Sequence, residues 1–192
     1  MRIIAGLAKG MTLAVPRTGV RPTADRIRGA IFSSLGERVV GARVLDLFAG
    51  TGALGLEAAS RGAKSVTFVE QAREALESLE KNIQAFQKNR EVTCSFAVAR
   101  AAVAGSIQKL AAEGETFQIV FADPPYGEAA QELLRDASLL PVLTSDGLLV
   151  LESAKRDALV VTEPWEPVRG SVYGDTRVDF LRVNAVSTDR HS

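Results

Sequence analysis

One turn in the sequence combines two hydrogen-bond acceptors with an aromatic ring. Asp123-Pro124-Pro125-Tyr126 directly follows Ile119-Val120-Phe121, an apolar run that predicts a buried strand. Prolines cannot continue a strand ladder, and Pro124 keeps Asp123 extended, so we expect the Asp123 carboxylate to project from the strand end. The carboxylate and the Pro124 carbonyl could accept both hydrogens of an –NH2 group while Tyr126 stacks on the ring that carries it. This arrangement suits a nucleobase amine, although an ordinary strand-ending turn can have the same residues.

A glycine-rich loop is predicted at the end of another strand. Asp46-Leu47-Phe48-Ala49 leads into Gly50-Thr51-Gly52, and Gly55 completes the spacing G-x-G-x-x-G. Glycines at this spacing allow a tight turn and a close approach of a ligand to the backbone. Glu70 ends the next predicted strand, where an acid can accept hydrogen bonds from both ribose hydroxyls. The loop alone does not distinguish a nicotinamide cofactor from S-adenosylmethionine.

Asp46 favours the second of these cofactors. An acid four residues before the first glycine is unfavourable beside a pyrophosphate but suits a cationic cofactor that carries an amino acid. The chain also has no lysine-bearing phosphate loop, which argues against a nucleoside triphosphatase.

The elements that position these residues alternate between strand and helix from residue 43 onward. This alternation predicts an α/β fold with a mostly parallel sheet and ligand-binding residues at the carboxyl ends of its strands. The predicted strands cover about 43–48, 65–69, 92–98, 117–122 and 147–152, with a final pair over 168–174 and 176–183. Helices are predicted over about 54–61, 72–87 and 128–140, and another follows the third strand and ends at about residue 112.

The N-terminal residues form a separate predicted extension. Weak alternation over residues 2–16 around Lys9-Gly10 indicates a small β-hairpin, and Thr23 is a plausible N-cap for a helix over about 24–37. We expect a single domain over residues 1–192, with a hairpin extension over 1–20 and the core over 21–192.

Composition excludes several classes of site. The chain of 192 residues has one cysteine, Cys94, and one histidine, His191, so a disulfide framework, a cysteine zinc site and histidine catalysis are not expected. No apolar run reaches the ~20 residues that span a bilayer, and no signal-peptide core is present, so a cytoplasmic location is expected.

Charge is distributed unevenly although the net charge is zero. Residues 1–43 contain eight Arg or Lys residues against two acids, a net charge of +6, which indicates an anionic partner at this end. A solvated helix face would show the same pattern.

The motifs together resemble one family over nearly the full length. The resemblance rests on Arg2-Ile3-Ile4-Ala5-Gly6, Arg21-Pro22-Thr23, residues 45–58 around the glycine loop, Asp123-Pro124-Pro125-Tyr126 and Tyr173-Gly174-Asp175-Thr176. The chain resembles the RsmD family of small-subunit (16S) ribosomal RNA guanine-N2 methyltransferases, which are class I S-adenosylmethionine-dependent methyltransferases. This implies a Rossmann-like, seven-stranded sheet with helices on both faces, and an enzyme that methylates the N2 amine of a guanine.

The resemblance also implies roles for individual residues. The cofactor S-adenosyl-L-methionine would contact Asp46, Gly50, Thr51 and Gly52 with its methionine part, Glu70 with its ribose and Ala99 with its adenine. Asp123, Pro124 and Tyr126 would hold the target base, without a metal. The basic residues that would contact RNA phosphates are Arg2, Lys9, Arg17, Arg21, Arg26 and Arg28, of which Arg21 or Arg28 could instead anchor the cofactor carboxylate. The partner would be ribosomal RNA or an assembly particle, and the protein a monomer.

The chain departs from the family pattern at two places. Gly29 stands where the family helix usually has an acid. Many relatives have an acid or amide after strand three, whereas this chain has Val98-Ala99-Arg100, so adenine binding would depend on backbone groups.

Three other functions remain open from the sequence. A DNA adenine-N6 methyltransferase shares the proline turn, but the chain has no obvious room for a target-recognition domain. A protein-glutamine methyltransferase usually has Asn where Asp123 stands. A non-catalytic RNA-binding assembly factor could retain the fold, but the intact turn and glycine loop argue against it.

Overall fold

The computed structural model describes residues 1–15, 23–89, 91–125, 127–157 and 159–184. The helices are α1 Thr23–Leu35, α2 Ala53–Ser60, α3 Arg73–Phe86, α4 Val103–Ala112 and α5 Ala129–Arg135, with 3-10 helices at Gly36–Val39 and Ala137–Val142. The strands are β1 Arg43–Leu47, β2 Ser65–Glu70, β3 Ser95–Arg100, β4 Phe117–Ala122, β5 Leu143–Ala154, β6 Trp165–Tyr173 and β7 Thr176–Val183.

The seven strands form one sheet in the order β3-β2-β1-β4-β5-β7-β6. The first five are parallel, and β7 runs antiparallel to both of its neighbours. This confirms the predicted mostly parallel α/β sheet, including the final antiparallel pair. The strand order reverses beside β1, where β2 lies on one side and β4 on the other, and open α/β sheets bind ligands at such a point.

Helices cover both faces of the sheet. On one face Val44 and Phe121 pack with Ile31 of α1 and Leu56 of α2, together with the buried Ile3 of the N-terminal segment. On the other face the core includes Leu45, Leu47, Ile107 of α4 and Leu133 of α5. Adjacent strand residues point to opposite faces, so the continuous apolar strands fill both cores.

The predicted N-terminal hairpin is short: Arg2 and Thr12 form an antiparallel bridge, and backbone hydrogen bonds join Ile3 N to Met11 O (2.9 Å) and Leu13 N to Met1 O (3.0 Å). The intervening chain turns, and core side chains hold it by hydrogen bonds to its backbone. The Glu57 carboxylate accepts from the amides of Ile4 (2.7 Å) and Ala5 (3.0 Å), and Ser60 Oγ accepts from Ala8 N (2.9 Å). Because side chains of α2 accept these backbone amides, the segment needs little of the apolar–polar alternation that is typical of strands, and the alternation over residues 2–16 is weak. The predicted boundary at residue 20 lies outside the described residues.

Several predicted bounds differ from the structure. The helix predicted over 128–140 ends at Arg135, because the Asp136 side chain accepts from Ser138 N (2.9 Å) and starts the 3-10 helix that contains Pro141. The strand predicted from residue 92 begins at Ser95. No helix in the described part of the chain is long and apolar enough to cross a membrane.

Candidate active site

The loop between β1 and α2 is shaped by glycines with positive φ. Gly50 has φ 56° and Gly52 has φ 78°. A Cβ on Gly52 would lie 2.4 Å from Leu79 Cδ1, whereas a Cβ on Gly50 would meet nothing closer than Phe48 O at 3.9 Å. Gly52 is therefore required by both conformation and packing, while Gly50 is required by conformation alone and borders open space.

The third glycine of the motif packs α2 against the sheet. A Cβ on Gly55 would lie 2.3 Å from Phe68 Cε1 and 2.7 Å from Val66 Cγ1. The Gly55 amide donates to Asp46 Oδ2 at 2.9 Å. This hydrogen bond joins the start of α2 to the acid of β1.

Asp46 is a buried acid without a cationic partner in the described part of the chain. Asp46 is 2% exposed, and none of the ion pairs among the described residues includes it. Burial raises the pKa of Asp46 to about 8, with further repulsion from Asp123 and Glu70, while the Gly55 amide acts in the opposite direction. A cationic group placed beside Asp46 would favour its ionised form, which fits the predicted cofactor.

Glu70 connects the glycine loop to the start of α3. Its Oε2 accepts from Gly50 N at 2.8 Å, and its Oε1 accepts from Gln71 N and Ala72 N, each at 2.8 Å. The carboxylate therefore orders the loop in addition to its predicted contact with ribose. Ala99 lies opposite Val69 at the carboxyl end of β3, at the same edge of the sheet.

The proline turn begins at this same edge. Leu47 of β1 pairs with Ala122 of β4, so Asp123 follows the strand end beside the glycine loop. Asp123 is exposed, Pro124 is buried, and Tyr126 lies outside the described residues. The structure therefore brings Asp46, Glu70 and Asp123 together, as the sequence predicted from three separate motifs.

A fourth acid, Glu152, was missed by the sequence reasoning. It follows Leu151, which pairs with Ala122, so it lies beside Asp123 on the neighbouring strand. Burial raises the pKa of Glu152 to about 8, with repulsion from Asp123 and Asp46, and Arg28 lowers it. The sequence does carry a signal for Glu152, because this acid directly follows the apolar run 148–151 just as Asp123 directly follows β4.

Arg28 differs from its predicted role. It is 3% exposed and donates to Asp25 Oδ1 at 3.0 Å and to the Arg2 carbonyl, with its Nε 3.7 Å from Glu57 Oε2. Burial lowers the pKa of the Arg28 guanidinium, and Asp25 and Glu57 raise it. A buried, paired arginine has no surface for an RNA phosphate, so the structure does not support that assignment for Arg28.

The other predicted RNA contacts divide into two groups. Arg2, Lys9 and Arg26 are exposed, as a phosphate contact requires. Arg17 and Arg21 lie outside the described residues.

Behind the glycine loop, Asn82 donates to the Thr51 carbonyl at 2.9 Å and to the Ala14 carbonyl at 3.0 Å, so Thr51 is fixed through its backbone.

Comparison with known proteins gives consistent results. The family model described as Conserved hypothetical protein 95 matches residues 1–182. "Ribosomal RNA small subunit methyltransferase D" of Escherichia coli strain K12 is 37% identical over 180 residues, covering 91% of this chain and 85% of that protein. The protein of the same name from Haemophilus influenzae is 34% identical over 91% of this chain and 89% of its own length. The solved structure described as "Putative methyltransferase yhhF from Escherichia coli" superposes with a TM-score of 0.77 at 32% identity, covering 96% of this chain and 98% of that one.

Proposed function

Since this chain belongs to the Conserved hypothetical protein 95 family, we propose that it transfers a methyl group from S-adenosyl-L-methionine to the N2 amine of a guanine in small-subunit ribosomal RNA. The relatives named ribosomal RNA small subunit methyltransferase D confirm the family that the motifs predicted. The choice of guanine N2 within that RNA is our own step and rests on the chemistry of the site.

The observation that carries this function is the meeting of three acids at one edge of the sheet. Asp46, Glu70 and Asp123 belong to β1, β2 and the end of β4, which are neighbours in the order β2-β1-β4. They would combine a ligand for a cationic amino acid, a ligand for a ribose and a ligand for an amine at one edge of the sheet. A protein that binds RNA without catalysis has no need for Asp123, the ligand for the amine.

The residues fit S-adenosylmethionine, which supplies a methyl group on a positively charged sulfur. Asp46 would attract its amino-acid part, since the acid is buried near other acids and no described cation forms an ion pair with it. Glu70 would accept from the ribose with lone pairs not used by the loop amides. Gly50, Thr51 and Gly52 would border the ligand with backbone, and Ala99 would meet the adenine.

Asp123 and Pro124 would then orient the substrate amine. Hydrogen bonds from the amine to the Asp123 carboxylate and the Pro124 carbonyl favour a pyramidal nitrogen and stabilise the positive charge that develops on it. Holding the nitrogen in line with the methyl group supplies much of the remaining rate enhancement. The guanine must be unpaired or flipped out of its stack, and Tyr126 would stack on it.

The RNA would contact the exposed basic residues of the N-terminal region. We assign this role to Arg2, Lys9 and Arg26 within the described residues, and to Arg17 and Arg21 by sequence alone. Contacts of this kind make binding sensitive to salt. We further propose a monomer that acts in the cytoplasm, where small-subunit particles are assembled.

The first experiment follows methyl transfer from radiolabelled S-adenosylmethionine to unmodified small-subunit particles, naked ribosomal RNA and DNA in parallel. Nucleoside analysis should find N2-methylguanosine in the RNA or particle samples. Label in N6-methyladenine of DNA would overturn the substrate assignment. Absence of label in every sample despite cofactor binding would favour the non-catalytic assembly factor.

The Asp123→Ala variant tests the proposed role of the turn. We expect transfer to be abolished while the affinity for the cofactor stays within a few fold, because Asp123 is assigned to the base. Asp146→Ala, at the amino end of β5, is the matched control and should retain normal turnover. Normal turnover by Asp123→Ala would contradict the assignment.

A further inference from the structure

Glu152 is a carboxylate that the proposed mechanism leaves without a role. We propose that Glu152 accepts a hydrogen bond from the N1–H of the target purine and thereby selects guanine. This inference rests on the proposed function, since it assumes that Asp123 holds the exocyclic amine.

Strand register places Glu152 beside Asp123 at the same edge of the sheet. Asp46 pairs with Phe121, and Phe121 pairs with Val150, so these three residues form one row across β1, β4 and β5. Asp123 and Glu152 each lie two residues beyond that row. Since side chains alternate along a strand, Asp46 and Glu152 point to one face. Asp123 directly follows the end of β4, which lies between β1 and β5, and neighbouring strands are only about 4.8 Å apart.

Charge interactions agree with this placement. Asp123 and Asp46 both raise the pKa of Glu152, and Asp123 raises that of Asp46, so the three carboxyl groups occupy a common region. Arg28 of α1 faces the same region and lowers the Glu152 pKa, but no ion pair among the described residues includes Glu152. Glu152 is half-buried, so a ligand can reach it.

The chemistry of the bases explains why a second acid beside Asp123 selects guanine. Guanine presents two adjacent donors on its Watson–Crick edge, N1–H and the N2 amine. Two neighbouring carboxylates can accept from both at once. Adenine and 2-aminopurine have an amine next to an N1 lone pair, which Glu152 would repel once it is ionised, above its pKa of about 8. Sites built to hydrogen-bond a substrate group discriminate strongly against analogues that lack the group.

The test compares guanine with 2-aminopurine at the mapped target nucleotide, because 2-aminopurine keeps the amine and lacks N1–H. Wild-type protein, Glu152→Gln and the control Glu128→Gln, an exposed residue of the same turn region, are assayed for kcat/KM on both substrates at about pH 9, where Glu152 is ionised. We expect the wild type and the control to prefer guanine. In Glu152→Gln this preference should fall at least about tenfold, since a glutamine amide can donate to the N1 lone pair.

The outcomes separate the two proposals. No transfer to guanine by the wild type would overturn the proposed function itself. Transfer by the wild type with an unchanged guanine preference in Glu152→Gln would overturn only the role of Glu152. Equal loss of both substrates would also overturn it, because Glu152 would then act on the amine or the cofactor. Cofactor affinity of Glu152→Gln, measured alongside, should match the wild type, and a single cooperative thermal transition excludes misfolding.

Discussion

Glu57 and Asp46 are both fully buried acids on the same side of the sheet, yet their surroundings are opposite. Glu57 is 0% exposed, accepts from two backbone amides of the N-terminal segment and pairs with Arg61 at 2.8 Å and Arg28 at 3.7 Å. Asp46 is 2% exposed, accepts from one amide and lies near other acids.

This difference distinguishes a structural acid from a ligand-binding one. Two cations and two amides compensate the charge of Glu57 within the protein, so its role is to hold the chain together. Asp46 has no ion-pair partner among the described residues, and its raised pKa keeps it protonated at neutral pH until a cationic ligand favours the ionised form. Burial alone does not separate the two roles, but the count of nearby cations does.

The largest expected effect sharpens the structural half of this comparison. Glu57→Gln should reduce the free energy of unfolding by about 3–5 kcal/mol, because it removes the buried charge that pairs with Arg28 and Arg61 and opposes an amide N–H with an NH2 group. Chemical denaturation measures the change. The matched control is Glu77→Gln, which breaks an exposed pair with Arg73 at the same i,i+4 spacing and should cost at most about 1 kcal/mol. Equal costs for the two variants would contradict the structural role of Glu57.

The second prediction concerns the affinity of the cofactor site. Asp46→Asn keeps an acceptor for the Gly55 amide but removes the charge, so we expect the affinity for S-adenosylmethionine to fall by about 2–5 kcal/mol, or at least roughly 30-fold. Isothermal titration calorimetry measures this. An unchanged affinity of Asp46→Asn for S-adenosylmethionine would show that the buried acid serves the fold rather than the ligand.

The third prediction is a dependence of stability on pH. The pKa of Asp46 rises from its ordinary value of 3.8 to about 8 on folding, so the folded protein holds a proton that the unfolded chain releases. The stability from this group is complete below about pH 4 and is lost as the pH rises through about 8.

In ligand-free protein, Asp46→Asn should therefore gain Tm relative to the wild type as the pH increases. Each kcal/mol corresponds to about 2–4 °C in a domain of this size. Thermal melts at about pH 5 and about pH 9 test the sign, and a fall in Tm of Asp46→Asn minus Tm of the wild type as the pH increases would contradict it.

Much of the fold could be predicted because local sequence and tertiary structure agree. Apolar runs that end at acids or glycines mark β1, β2 and β4. The rule that parallel strands present their carboxyl ends at one edge places Asp46, Glu70 and Asp123 together from the sequence alone. Glu152 obeys the same rule. The sequence predicts a strand over 147–152, but Glu152 is interpreted there as the end of that strand and not as a site residue.

The remainder depended on contacts distant in sequence. Arg28 is predicted from the sequence to contact RNA phosphates or the cofactor carboxylate, and only the packing of α1 over Glu57 shows otherwise. The available signal is an acid inside the apolar run 54–59, since a buried acid requires a cation or several donors. The N-terminal hairpin could be predicted, but its hydrogen bonds to side chains of α2 and α3 could not, because strand periodicity does not indicate such contacts.

Asn82 joins two regions that have been assigned different ligands. Its side chain holds the backbone of Ala14 in the N-terminal segment and of Thr51 in the glycine loop through one amide group. A ligand that restrains the loop therefore restrains the segment that carries the basic residues. Thermodynamic linkage requires any such coupling to be mutual, so the factor by which cofactor strengthens RNA binding must equal the factor by which RNA strengthens cofactor binding.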